Sequence, residues 1–199
     1  MDVKIENYCE NGLAYTEVNG TRGMLNFCDV KTLIQHAVNL PPGARYLETG
    51  SYLGCSALLV ALASKAMVWA HDIWVTDWSE LKGIPPPEVK DYFYEFYATV
   101  KKNGLENRII PVRGDSVYTV GIHDNESIDL AFIDGDHSFE GCLNDLRAVW
   151  PKMKRGGVIL VHDCWDGSGV GEAVLEFRKE VFFLIEVVPE TTGMVKISQ

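Results

Sequence analysis

Residues 45–56 read RYLETGSYLGCS. Arg45 to Thr49 has the character of a short strand, and Ser56 opens an apolar helix that runs to Lys65. Between them lies a turn with glycine at both ends, Gly50 and Gly54, preceded by the acidic Glu48. Glycine at position 50 permits a tight turn with positive φ. Glycine at position 54 lets backbone approach a ligand at the helix N-terminus, where unpaired N–H groups point outward. An ordinary strand-to-helix turn uses the same residue types, so the rest of the chain must decide between the two readings.

Outward from this turn, strand and helix signals alternate. Upstream, Val30, Leu33, Ile34, Ala37 and Val38 keep helical spacing, with Asp29 placed to cap and Pro41-Pro42-Gly43 as the stop. Downstream, strands are expected over 66–71, 109–112, 128–133 and 158–161, the last apolar on both sides as in a buried parallel strand. Helices are marked by Val89, Tyr92, Phe93, Phe96 and Val100; by Phe139, Cys142, Leu143, Leu146 and Val149; and by Ala173, Val174 and Phe177. Two closing strands, 181–188 and 194–197, turn near Gly193 with no helix between them, so they pair antiparallel. This pattern predicts an α/β fold, a doubly wound, mostly parallel sheet with helices on both faces. Right-handed crossovers then line the strand C-termini along one edge, where ligands bind.

The chain of 199 residues suits one domain. Residues 29–199 are expected to form it, with 1–28 as an N-terminal extension. There, Leu13, Tyr15, Val18 and an Asn19-Gly20 turn predict a small hairpin. Eighteen basic against 28 acidic residues give a net charge of −10, which repels nucleic-acid phosphates and anionic membranes. The basic Lys152, Lys154 and Arg155 are too few to reverse this and read as a solvated turn. Five cysteines, an odd number without a CxxC pair, suit a reducing cytoplasm rather than a disulfide framework. The first residues, MDVKIENYCE, lack the basic and apolar regions of a secretory leader, so a cytoplasmic location is expected.

Polar residues recur at the strand ends. The second strand ends in Ala70-His71-Asp72, and an acidic side chain about 20 residues beyond the glycine turn can accept both hydroxyls of a ribose. Asp72 alone also reads as a helix cap. The third ends in Arg113-Gly114-Asp115-Ser116, where Asp115 and Ser116 can hydrogen-bond an adenine amino group. The fourth ends in Asp134-Gly135-Asp136-His137. The turn lacks the Gly-x-Gly-x-x-Gly dinucleotide fingerprint, because position 52 is tyrosine, and no Walker A lysine motif is present.

In this order, over residues 45–163, the motifs resemble those of class I S-adenosylmethionine-dependent methyltransferases. The segment 128–163, IDLAFIDGDHSFEGCLNDLRAVWPKMKRGGVILVHD, resembles their small-molecule O-methyltransferase branch, which includes catechol-type and macrocin-type enzymes. The resemblance implies a Rossmann-like seven-stranded sheet with its last strand antiparallel. It also implies S-adenosyl-L-methionine lying across the strand ends. By the same matching, Glu48, Gly50, Ser51, Tyr52, Gly54 and Ser56 on the first turn face the cofactor, with Glu48 and Gly50 at its methionine part. Asp72 and Ile73 lie at the ribose, Gly114, Asp115 and Ser116 at the adenine, and Asp134 on the fourth strand end.

Methyl transfer to a hydroxyl needs an aligned acceptor and removal of its proton. His137, just beyond the fourth strand, is the candidate base because an imidazole's unperturbed pKa lies near neutrality, with Asp134 beside it. In the resembling enzymes the position three after the strand-end aspartate carries a catalytic lysine or histidine. His137 also reads as a helix cap or as a contact to the cofactor's methionine end. Asp134 and Asp163 end adjacent strands, so their carboxylates suit a divalent cation such as Mg²⁺. The metal-dependent relatives place a third oxygen ligand beside the Asp163 position, whereas this chain has His162 and Cys164. A softer ion at Asp134, His162 and Asp163, or a metal-free site with Asp163 as a polar wall, are the alternatives.

The segment 76–97, with Trp78, Pro85-Pro86-Pro87, Tyr92, Tyr94 and Tyr97, reads as a lid over the acceptor or as a plain surface loop. Trp165, Asp166 and Gly167-Ser168-Gly169 form a candidate opposite rim. The leading expectation is methyl transfer to a hydroxyl of a small-molecule acceptor. The competing ones are a nicotinamide-dependent oxidoreductase and a non-catalytic nucleotide-binding protein on the same sheet.

Overall fold

The computed structural model describes residues 3–76 and 90–198. An antiparallel meander of β1 (Ile5–Glu10), β2 (Leu13–Val18) and β3 (Thr21–Gly23) precedes α1 (Phe27–Val38). Then come β4 (Arg45–Thr49), α2 (Cys55–Ala63) and β5 (Met67–Asp72). A short ribbon, β6 (Val75–Thr76) with β7 (Lys90–Asp91), leads to α3 (Phe93–Lys102), β8 (Ile109–Arg113) and a single turn, α4 (Ser116–Thr119). The remainder is β9 (Ile128–Ile133), α5 (Phe139–Val149), β10 (Met153–Val161), α6 (Gly169–Glu180), β11 (Leu184–Val187) and β12 (Val195–Ser198).

Seven strands form one sheet in the order β11-β12-β10-β9-β4-β5-β8. Strands β8, β5, β4, β9 and β10 are parallel, and β12 runs antiparallel to both β10 and β11. The predicted α/β, doubly wound, mostly parallel sheet is therefore the observed one. From β4 the chain adds β5 and β8 to one side, then returns to add β9 and β10 on the other. The order reverses between β4 and β9, and their C-terminal ends open the crevice in which such sheets bind ligands.

Strand alternation divides the core in two. Tyr46, Val68, Ala70, Leu130, Phe132 and Leu160 face α1, α2 and α3, where Val30, Leu33, Leu58, Phe96 and Val100 pack. Leu47, Ala131, Ile133, Ile159 and Val161 face α5 and α6, packing with Cys142, Leu146, Val149, Val174 and Phe177. Helix α2 is apolar all round and buried from Cys55 to Ala61. A helix of that kind needs cover on every side. The sheet and α1 supply part of it, and the meander supplies the rest: a Cβ on Gly23 would lie 2.5 Å from Cys55 Cβ.

The helix cap expected at Asp29 is at Asn26, whose side chain accepts from the backbone N–H of Cys28 and Asp29. Asp29 is instead the third helical residue and reaches back to the Asn26 N–H at 2.8 Å, completing a capping box. Strand β10 starts at Met153 rather than 158, because Met153 already pairs with Ile128 on β9, ahead of an irregularity that precedes Val158. Strand β1, α4 and the β6–β7 ribbon are elements that periodicity did not mark. Residues 77–89, with Trp78 and the three prolines, lie outside the described residues; Tyr94 and Tyr97 lie on α3. Among the described residues no helix is long and apolar enough to cross a membrane.

Candidate active site

The glycine turn sits directly against the end of β9. Gly50 has φ +84°, and a Cβ there would lie 2.0 Å from the Asp134 carbonyl oxygen. Its N–H donates to His71 O at 2.9 Å, while Asp134 N–H donates to Thr49 O at 3.0 Å. Gly54 has φ +89°, and the space it leaves is taken by the Phe96 ring, 2.9 Å from a would-be Cβ. Position 54 is thus small because α3 packs there. The turn is held by Asp72: Tyr52 N–H donates to Oδ2 at 2.7 Å and Trp74 N–H to Oδ1 at 2.5 Å. The Trp74 indole N–H closes the loop on Tyr52 O at 2.8 Å. Burial raises the Asp72 pKa against these backbone donors. Each of its oxygens keeps a second lone pair, which is what a ribose hydroxyl requires.

Under the turn, the Tyr46 hydroxyl donates to Glu48 Oε2 at 2.8 Å. Glu48 Oε1 and Ser51 Oγ are buried without a hydrogen-bond partner. Burial pushes Glu48 up to about 7, against the pull of the nearby Ser51, Tyr46 and Ser56 hydroxyls. An unpaired buried carboxylate oxygen beside an unpaired hydroxyl is costly unless a ligand completes it.

On the other side, Asp115 caps α4 by accepting from Val117 N–H at 2.9 Å. The Ser116 hydroxyl donates to Asp145 Oδ1 at 2.5 Å, and the Thr49 hydroxyl donates to Asp145 Oδ2 at 2.8 Å. Asp145 therefore ties the ends of β4 and β8 from α5, and burial raises its pKa against those two donors. A Cβ on Gly135 would lie 3.0 Å from the same carboxylate, so the β9 turn packs there too. Ile73, Val117 and the largely exposed Tyr118 stand at the ends of the adjacent strands β5 and β8. Trp165 is exposed at the rim, where its ring lies 2.7 Å from a would-be Cβ on Gly193.

Between β9 and β10 the polar groups converge. His137 Nε2 lies 3.5 Å from Asp134 Oδ1, and its Nδ1 lies 3.3 Å from Asp163 Oδ2. Beneath it, His162 Nδ1 lies 3.1 Å from Asp134 Oδ1 and 3.5 Å from Asp163 Oδ2. His162 Nε2 faces Asp29 Oδ2 at 3.3 Å. His162 is only 3% exposed, and neither ring nitrogen has a well-aligned hydrogen bond. Burial works against ionising Asp134, but the charges of His162 and His137 close beside it prevail and hold it down to about 2. The hydrogen bond to Asp134 raises His137 against its partial burial. Burial opposes a charge on His162, yet Asp134, Asp163 and Asp29 raise its pKa well above the ordinary value.

Ligand atoms of Asp134, His162 and Asp163 all lie within 4.8 Å of one another. The sequence-predicted Asp134, His137 and Asp163 thus come together, and Glu48, Gly50, Ser51, Tyr52, Asp72 and Ile73 lie along the same edge. Ser116 turns its hydroxyl inward to Asp145. Asp29 and Asp145 were missed as site residues. Asp145 left a signal, a carboxylate on the apolar face shared by Cys142, Leu146 and Val149; Asp29 left none, because a helix start accounts for it.

A family model described as a methyltransferase domain matches residues 47–164. No protein in a search of curated sequences matches. Among solved structures, the fold is similar to the O-methyltransferase NovP (TM-score 0.70, 18% identity, 89% of this chain and 81% of that one). It is also similar to a precorrin-6y methyltransferase from Geobacter metallireducens (0.63, 15%, 86% and 86%). A third is a methyltransferase from Geobacter sulfurreducens (0.62, 16%, 85% and 76%). At such identities the likeness concerns the fold. Since the matched segment spans more than half of the chain and contains both the glycine turn and the β9–β10 cluster, the chain belongs to the class I S-adenosylmethionine-dependent methyltransferases.

Proposed function

We propose that this protein transfers a methyl group to a hydroxyl of a small molecule, with His137 as the general base. The observation that carries this reading is the half-exposed His137 imidazole, set 3.3–3.5 Å from Asp163 and Asp134 at the mouth of the crevice. Bound S-adenosylmethionine supplies a methyl group activated on a sulfonium. The chain's residues fit it. Glu48 Oε1 and Ser51 Oγ are the unpaired buried atoms that an amino-acid ammonium and carboxylate would satisfy. Asp72 offers its remaining lone pairs to the ribose. Asp115 and the backbone of Gly114 and Ser116 border the adenine end. Family membership displaces the nicotinamide-dependent reading.

His137 would take the proton of the acceptor hydroxyl as that oxygen is methylated, and Asp134 and Asp163 keep the imidazole oriented. The same carboxylates with His162 suit a divalent cation, which would lower the pKa of a bound hydroxyl. A donor set of two carboxylates and an imidazole favours a borderline ion such as Zn²⁺ over Mg²⁺. Fluorimetric melting tests the cofactor. S-adenosylhomocysteine at about 100 times its Kd adds roughly 2.7 kcal/mol, on the order of 5–10 °C for this size. A curve unmoved by it but raised by NADH overturns the reading. Acceptors are sought among phenols, catechols and hydroxylated sugars with isotopically labelled methyl donor. With one in hand, His137→Ala loses about 10²–10⁴-fold in turnover while keeping S-adenosylhomocysteine affinity. Wild-type turnover in that variant removes His137 as the base.

A further inference from the structure

His162, like the half-exposed His137, has carboxylates at both ring nitrogens, but its imidazole is buried. Asp134 and Asp163 face its Nδ1, and Asp29 faces its Nε2. Asp29 comes from the first turn of α1, outside the segment 47–164 that the family model matches. Its carboxylate is fully buried and firmly held. Asn26 N–H donates to Oδ2 at 2.8 Å, the Thr192 hydroxyl to Oδ2 at 2.7 Å, and Thr192 N–H to Oδ1 at 2.9 Å. A capping box requires only the first of these bonds. The other two fix the carboxylate from the loop between β11 and β12 and leave Oδ2 aimed at His162.

We propose that Asp29 is a positioning residue for a divalent-cation site: it takes the Nε2–H of His162, so that a cation displaces the proton from Nδ1 and that nitrogen becomes the donor beside Asp134 and Asp163. Histidine ligands to metals characteristically donate their other ring N–H to a carboxylate, which fixes both tautomer and ring orientation. Here that carboxylate and the loop that holds it lie on parts of the chain flanking the methyltransferase core. The inference rests on the cation reading given above, and its use is to make His162 a directional third donor rather than a freely rotating ring.

The test uses the whole protein, stripped with EDTA and titrated with Zn²⁺ by calorimetry and with Co²⁺ by visible absorption. Wild type is expected to bind one equivalent. Asp29→Asn, close in shape but without the carboxylate's charge and second acceptor oxygen, is expected to bind about 10–100-fold more weakly, with S-adenosylhomocysteine affinity within about twofold of wild type. Long-range ¹H–¹⁵N spectra of Zn²⁺-loaded wild type are expected to show His162 protonated at Nε2 and shifted at Nδ1. Equal Zn²⁺ affinity in folded Asp29→Asn overturns the role of Asp29. So does a parallel loss of S-adenosylhomocysteine affinity, which makes the residue merely structural. A spectrum with Nδ1 protonated overturns it without any variant, should Asp29→Asn not fold. If wild type binds neither ion, the cation reading falls and this inference with it; if wild type binds and the variant matches it, only the inference falls.

Discussion

Gly50 shows how much one side chain decides here. Its φ of +84° is costly for any other residue, and a Cβ would meet the Asp134 carbonyl oxygen at 2.0 Å. Gly12, with φ +80°, has no atom within 4 Å of the same position. Gly12→Ala is therefore expected to cost only the left-handed backbone penalty, about 1–2 kcal/mol. Gly50→Ala carries that penalty plus a clash between two strand ends that cannot separate without opening the crevice. Urea denaturation should place it at least about 2 kcal/mol below the Gly12 variant, within the range of overpacking costs. Equal losses at the two positions would show that the β4 and β9 turns can move apart. The requirement for glycine at 50 was legible in the strand-turn-helix pattern. Its contact with Asp134 was not, since 84 positions separate the two residues.

Helix α5 carries Asp145 on its buried face, where it holds Thr49 at the end of β4 and Ser116 at the start of α4. Hydrogen bonds to a charged group contribute about 1.5–3 kcal/mol each, and leaving the partner hydroxyls unpaired adds desolvation cost. Asp145→Ala is expected to lower stability by about 2–4 kcal/mol and to weaken S-adenosylhomocysteine binding, because the two turns at the crevice edge lose their shared anchor. Denaturation and calorimetric titration check this. A variant with unchanged ligand affinity would mean that the turns hold their positions through backbone contacts alone. The helix itself was readable from Phe139, Cys142, Leu143, Leu146 and Val149. Its aspartate's partners lie on β4 and α4, and periodicity does not report across elements.

Stability of the whole molecule depends on a buried polar chain on the α4–α5 face of the sheet. Arg45 Nη2 lies 3.2 Å from His123 Nδ1, the two Nε2 atoms of His123 and His71 are 2.9 Å apart, and His71 Nδ1 is 2.9 Å from Thr119 Oγ1. A guanidinium only donates. His123 Nδ1 is then an acceptor, its Nε2–H donates to His71 Nε2, and His71 Nδ1–H donates to Thr119. A further proton on either ring would set N–H against N–H. Burial and the neighbouring His123 push His71 down to about 3, and burial with Arg45 and Lys152 pushes His123 down to about 4. The unfolded chain binds these protons first, near the ordinary value of 6.5. Their contribution is therefore complete above pH 6.5 and is lost as pH falls, down to about 4 for His123 and about 3 for His71. The slope is about 1.4 kcal/mol per pH unit for each imidazole. Denaturation between about pH 6.5 and pH 5 should fall less steeply in His71→Gln/His123→Gln than in wild type. Identical slopes would show that the pair is already protonated in the folded state.

Local signals in the chain were sufficient for the alternation of strands and helices, because each buried element writes its own period of apolar residues. They also sufficed for the polar strand ends of the crevice, because a parallel sheet gathers every strand C-terminus on one edge. Asp72, Asp134, His137 and Asp163 could be named on that ground alone. The capping of α1 by Asn26, the inward turn of Ser116 and the enclosure of His162 by Asp29 followed different physics. The cap is a choice between two neighbouring residues able to cap, which local spacing leaves open; the other two depend on which side chain meets which across elements far apart in the chain, and at His162 the gathered carboxylates outweigh burial. His162 was a neighbour of Asp163 in the sequence. It became the centre of the site once α1 and the loop at Thr192 closed over it and removed it from water.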